Sequence, residues 1–179
     1  MKINLSDEVL AEIGKISVLF CLVEDSLSEI IGAIVTVGGR RRELGVVVAA
    51  DLSFGQRITT LRALLLLAFA AFAEDHEVMV EFSQLQALLS QAEQQRNIVV
   101  HSVWAKNESS SDPHALIRIK ATAKPRKGLR RDFESLDLHG LQAITRTIGN
   151  AYAKLALFQL HFQPDSEPDE ATVADPPSN

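Results

Sequence analysis

The chain has 179 residues, enough for one well-buried domain and too few for two, since domains run to about 100–200 residues. With 46% hydrophobic and 23% charged residues, nine Gly and six Pro, it falls outside the disordered, fibrous and low-complexity classes. The single cysteine, Cys21, excludes an intramolecular disulfide and a cysteine-rich zinc site, and makes the cytoplasm the expected compartment. The longest apolar run, residues 63–73, is far shorter than the ~20 residues of a membrane span and reads as a core helix. The opening residues lack the pattern of a signal peptide, so the protein is expected to stay where it is made and to have no membrane partner.

The net charge of −5 is unevenly held. Residues 164–179 contain Asp165, Glu167, Asp169, Glu170 and Asp175, four prolines and neither Lys nor Arg; setting those five acids aside leaves 18 acids against 18 bases. This composition predicts a disordered acidic tail behind one helical domain over residues 1–163.

Over residues 6–37 apolar side chains recur at steps of three and four (Val9, Ile13, Ile16, Phe20, Val23, Leu27, Ile30, Ile34), which predicts a long helix buried on more than one side. Ser53 and Gln56 have the spacing of a capping box and open a second helix running through Ile58, Leu61 and Leu65 to about Phe72. A third starts at Asp75. Its apolar seam is Val78, Phe82, Leu85, Leu89, Ala92, then position 96, then Val99, and position 96 is Arg.

After His101 the polar cluster 107–113 reads as a loop. The next run alternates, with Ala115, Ile117, Ile119 and Ala121 on one face and Leu116, Arg118, Lys120 and Thr122 on the other, the period of a strand. Residues 124–128 form a turn by composition, and Leu129, Arg131 and Phe133 mark a returning strand. Seven cations, Arg118, Lys120, Lys124, Arg126, Lys127, Arg130 and Arg131, therefore fall on one hairpin, where they make a local positive field able to meet an RNA backbone. Ser135 or Asp137 then caps a fourth helix through Leu141, Ile148 and Leu155 to Phe162. The fold class is all-α, a four-helix bundle with a small antiparallel β-hairpin between the third and fourth helices.

An Arg on an apolar seam needs a partner, a route to solvent or a task, because a guanidinium keeps its charge and is costly to bury alone. One reading pairs Arg96 with a carboxylate such as Glu24 or Asp25, leaving His101 to face the helix C-terminus. The other is functional: Asn97 and His101, four residues apart, share a helix face, with Arg96 offset from both. Trp104 is expected to lid the core, and His76, His114, His139 and His161 to be surface or packing residues.

The segment Arg96-Asn97-Ile98-Val99-Val100-His101 resembles the signature of the HEPN superfamily, four-helix domains in which an arginine, commonly followed by a polar residue, precedes a histidine near a helix end. Phe54-Gly55-Gln56 at the start of the preceding helix, Trp104, the hairpin and the last helix are similar in outline over residues 6–162. The chain departs from the pattern at Ser102, where many relatives have glycine. The resemblance implies a metal-independent endoribonuclease that cleaves single-stranded RNA without a cofactor, acts as a homodimer, and serves as a toxin, paired with an antitoxin protein, or in phage defence. Arg96, His101 and Asn97 would be its catalytic residues. The residue types suit that chemistry: imidazole changes charge near neutral pH and can take the 2′-hydroxyl proton, and a guanidinium can neutralise charge growing on the phosphate. The rival reading is a HEPN-like scaffold that binds RNA, a nucleotide or a partner protein without cleavage.

Overall fold

A computed structural model describes residues 5–36, 47–69, 77–112, 114–124 and 128–163, with backbone alone for 121–124, 128 and 129. The fold is mostly helical with one small antiparallel sheet: α1 (Asp7–Val35), α2 (Phe54–Ala68), α3 (Glu77–Val100), β1 (Val103–Lys106), β2 (Leu116–Lys124), β3 (Gly128–Leu136) and α4 (Leu138–Gln159), closed by a 3-10 turn, Leu160–Phe162. A further helical turn occupies residues 47–50. The acidic tail, the turn residues 125–127 and the predicted start of the third helix at Asp75 lie outside the described residues.

The helix starts follow their capping residues. Ser6 accepts from the Val9 N–H, and Ser53 and Gln56 make both bonds of a capping box. Of the two candidate caps for the last helix, Asp137 is the one used, accepting from the Gly140 N–H at 2.7 Å. The second helix stops at Ala68 rather than near Phe72.

Helix α1 lies against α2, α3 and α4, and α3 also packs on α4. Phe20, Leu27, Leu61, Leu89, Ile148 and Phe158 are almost wholly excluded from solvent between them. Aromatic pairs tie helices together, among them Phe20 on Phe54 at 4.8 Å and Phe82 on Phe158 at 5.8 Å between ring centres. Among the described residues no helix is long and apolar enough to cross a membrane.

Among the described residues one carboxylate sits inside this core. Glu12 is buried between α1 and α4, accepting from Thr145 Oγ1 at 2.6 Å and from Lys15 Nζ at 3.1 Å. The Thr145 hydroxyl bond, aided by Lys15, holds its carboxyl below the ordinary value of 4.5 against the opposing effect of burial. A depressed carboxylate contributes stability that is present above the unfolded-state value and lost as pH falls through the folded-state one. Thr145→Val should therefore cost about 1–3 kcal/mol at neutral pH, the loss of a hydrogen bond to a buried charge. That difference should shrink below the ordinary carboxyl value, as paired urea melts would read.

The expected two-stranded hairpin is part of a three-stranded sheet of order β1-β2-β3, in which Trp104, Arg118 and Glu134 align across the strands. The alternation in β2 is present, but the face turned to the bundle is the one bearing Arg118: Leu116 is buried, and Trp104 and Leu136 pack against the core. The more apolar face, with Val103, Ile119 and Phe133 in one cross-strand row, points outward, and Val103 and Phe133 are each 65% exposed.

Candidate functional site

Arg96 continues the α3 seam, as its spacing requires, and the structure answers how its charge is accommodated. The guanidinium carbon lies 4.9 Å from the centre of the buried Phe20 ring, and Nη1 donates to Asn97 Oδ1 at 3.0 Å. A guanidinium over an aromatic face keeps its charge while its flat, weakly hydrated surface is covered. The carboxylate pairing considered from sequence is not formed: the Glu24 side chain lies by Arg57 at 3.9 Å, and among the described residues Arg96 has no carboxylate partner.

This setting makes a definite prediction for Arg96→Leu. The substitution loses a cation–π contact of roughly 0.5–2 kcal/mol and gains apolar packing on a seam already built of Leu85, Leu89 and Ala92. A denaturant melt should show stability within about 1 kcal/mol of the parent. A loss of about 3–5 kcal/mol, the signature of a stranded buried charge, would mean that Arg96 has an ionic partner after all.

Immediately past α3 the chain turns into β1, placing His101 at the junction of bundle and sheet. His101 is exposed, and its backbone N–H continues the helix by donating to Asn97 O at 3.2 Å. Ser102 makes the connection: its hydroxyl donates to Ile98 O at 2.6 Å and accepts from Arg118 Nε at 2.8 Å. Trp104 adds a second tie, indole N–H to Val99 O at 3.0 Å. The end of α3 and the middle of β2 are thereby held side by side. Between them opens a groove of about 370 Å³ lined by Gln94, Asn97, Ile98, His101, Arg118 and Lys120.

The groove brings together two of the three residues of the signature, His101 and Asn97, with two cations of the hairpin. Arg96 is not among its lining residues and reaches it only through Asn97. The other hairpin cations divide. Arg118 is buried and paired with Glu134, its cross-strand neighbour, so it is not a surface cation of the kind expected. Arg130 is exposed but pairs with Asp132 at 2.7 Å, while Arg131 is exposed on the outward face with Phe133. The side chains of Lys124, Arg126 and Lys127 lie outside the described residues. The hairpin field is thus weaker than the seven cations alone imply, because Asp132 and Glu134 answer two of them.

Sequence reasoning missed Ser102 and Glu134 as members of the site. The remaining histidines that are described take packing or surface roles: His114 meets Ser6 Oγ at 3.2 Å, His161 meets Glu81 at 2.8 Å and lies edge-on to Phe158, and His139 is exposed. Among the described residues no group of three or more His, Cys, Asp or Glu is placed to hold a metal ion. Compared with protein-family models, curated proteins and solved structures, the chain finds no match.

Proposed function

We propose that the chain is a metal-independent endoribonuclease of the HEPN type that cleaves single-stranded RNA through the RNA's own 2′-hydroxyl. One observation carries this reading: a single groove holds an exposed imidazole, an amide and two cations from separate elements, His101 and Asn97 from the end of α3 and Arg118 and Lys120 from β2. His101 takes the 2′-hydroxyl proton, and the alkoxide attacks the neighbouring phosphorus. The bond to the 5′-oxygen breaks, leaving a 2′,3′-cyclic phosphate on one fragment and a 5′-hydroxyl on the other. The cations neutralise the charge that builds on the phosphoryl oxygens, where fixed donors count most. In this reading Lys120, which lines the same groove, gives the departing oxygen its proton. A two-fold pair of chains would offer a second His101 for that step, and light scattering reads whether the pair forms.

A second reading is favoured by the engagement of Arg96 with Phe20 and Asn97: a scaffold in which the arginine is structural and the groove binds RNA or a nucleotide without cutting it. The deciding experiment is incubation of the protein with single-stranded RNA in EDTA, followed by identification of the product ends. Fragments ending in 2′,3′-cyclic phosphate support the nuclease; intact RNA under conditions where it binds supports the scaffold.

A further inference from the structure

We propose that the phosphate-binding arginine of the groove is Arg118, held in place by Ser102 and Glu134, and that Arg96 is a positioning residue acting through Asn97. The assignment rests on the groove being where the nucleic acid lies. The Arg118 side chain is only 8% exposed, yet it lines a solvent-open groove. A guanidinium has five N–H donors in one plane, and two protein groups fix that plane here: Ser102 Oγ receives Nε–H at 2.8 Å, and Glu134 receives Nη1–H. Ser102 is itself fixed, because its own proton goes to Ile98 O at 2.6 Å, leaving a lone pair for Arg118. Among the described residues Nη2 has no protein acceptor, and the only buried side-chain polar atom without a partner is Gln95 Oε1. Nη2 therefore keeps contact with solvent in a residue that lines the groove, and it is the nitrogen left to donate to a phosphate.

Arg96 is arranged otherwise. Its guanidinium lies over the Phe20 ring, and its Nη1 occupies Asn97 Oδ1, so the Asn97 amide has its NH2 left for the groove. The arginine that the signature singles out orients a donor, and the arginine beside His101 that meets the ligand comes from the sheet. Lys120 supplies the net positive charge that the Arg118–Glu134 pair lacks.

Two assays separate the roles. The first measures anisotropy of a fluorescein-labelled, fully 2′-deoxy single-stranded oligonucleotide, which cannot be cut through a 2′-hydroxyl; the second measures cleavage of RNA of the same sequence, with thermal melts on every variant. Arg118→Ala should weaken oligonucleotide binding about ten-fold or more, the loss of a charge-assisted contact. It should still fold, because the carboxylate left behind, Glu134, is 61% exposed. Ser102→Ala keeps the charge but frees the plane; it should weaken binding about five-fold and raise KM more than it lowers kcat, and Ser102→Thr, which restores the hydroxyl, should recover both. Arg96→Lys should lower kcat and leave oligonucleotide binding within about two-fold. Wild-type affinity in Arg118→Ala and Ser102→Ala, with binding lost in Arg96→Lys, would overturn the proposal, as would a wild-type protein that binds no oligonucleotide. A wild-type protein that binds through Arg118 but cuts no RNA would remove the nuclease reading and support the phosphate assignment.

Discussion

His101→Ala should lower RNA cleavage in EDTA by about 10²–10⁴-fold, the usual contribution of a positioned general base, while leaving the melt unchanged within about 0.5 kcal/mol. The two halves of this expectation come from separate observations. His101 is exposed at the last turn of α3, so truncating its ring opens no cavity in the core. It lines the groove beside Arg118 and Lys120, so the ring is near any phosphate bound there. Undiminished cleavage by a well-folded His101→Ala protein would remove the general-base role and leave the groove as a binding site.

The largest expected loss of stability is at Phe20. The residue is 1% exposed, and its ring tilts against Phe54 at 4.8 Å and meets the Arg96 guanidinium. Phe20→Ala should cost about 3–5 kcal/mol, the range for removing a buried aromatic and leaving a void between helices. Phe20→Leu is the informative companion. It keeps much of the apolar volume but loses the aromatic face, so stability should fall less than in Phe20→Ala while Arg96 loses the surface that orients it. Chemical denaturation reads the first effect and RNA cleavage by the folded variant the second. If Phe20→Leu cleaves RNA as the parent does, the Phe20–Arg96–Asn97 chain has no part in activity.

How far the sequence foretold this arrangement depends on the range over which each feature is determined. Helix starts are local: Ser6, Ser53 and Asp137 act on N–H groups three residues ahead, the Ser53–Gln56 box lies where its spacing places it, and Asp137 is one of the two caps that the sequence left open. The seam of α3 is nearly as local, and its break at Arg96 marked a residue with a particular environment. That environment depends on Phe20 in another helix, which no spacing within α3 reveals. The same holds for Glu12, whose partner Thr145 lies 133 residues further along the chain. Strand β1 was missed because four residues, Val103 to Lys106, follow a helix almost without interruption and are too few to display a period of two.

The alternation in β2 left open which face of the sheet meets the bundle. An apolar alternation ordinarily turns its apolar side inward, and here Ile119 and Phe133 face out while Arg118 faces in. What makes this possible is the carboxylate of Glu134 directly across the ladder, together with the Ser102 hydroxyl. Part of this was legible. A turn centred on residue 126 pairs positions symmetrically about it, which sets Arg118 opposite Glu134, and a cation opposite an acid on one face is a sign that the face can be buried. Ser102 carried no such sign, since its two bonds depend on where β2 docks.

The lone tryptophan has a use beyond its place under the sheet. Trp104 donates its indole N–H to the last turn of α3, within a few residues of His101 and cross-strand from Arg118, and it is the only Trp in the chain. Its emission is thus an intrinsic optical gauge of one joint in the molecule, the seam where sheet meets helix. Water reaching the indole shifts that emission to the red, so fluorescence follows the opening of this joint while far-ultraviolet circular dichroism follows the helices. Coincident transitions would make the groove as durable as the bundle itself, whereas an earlier red shift would identify a state with intact helices and a dismantled site.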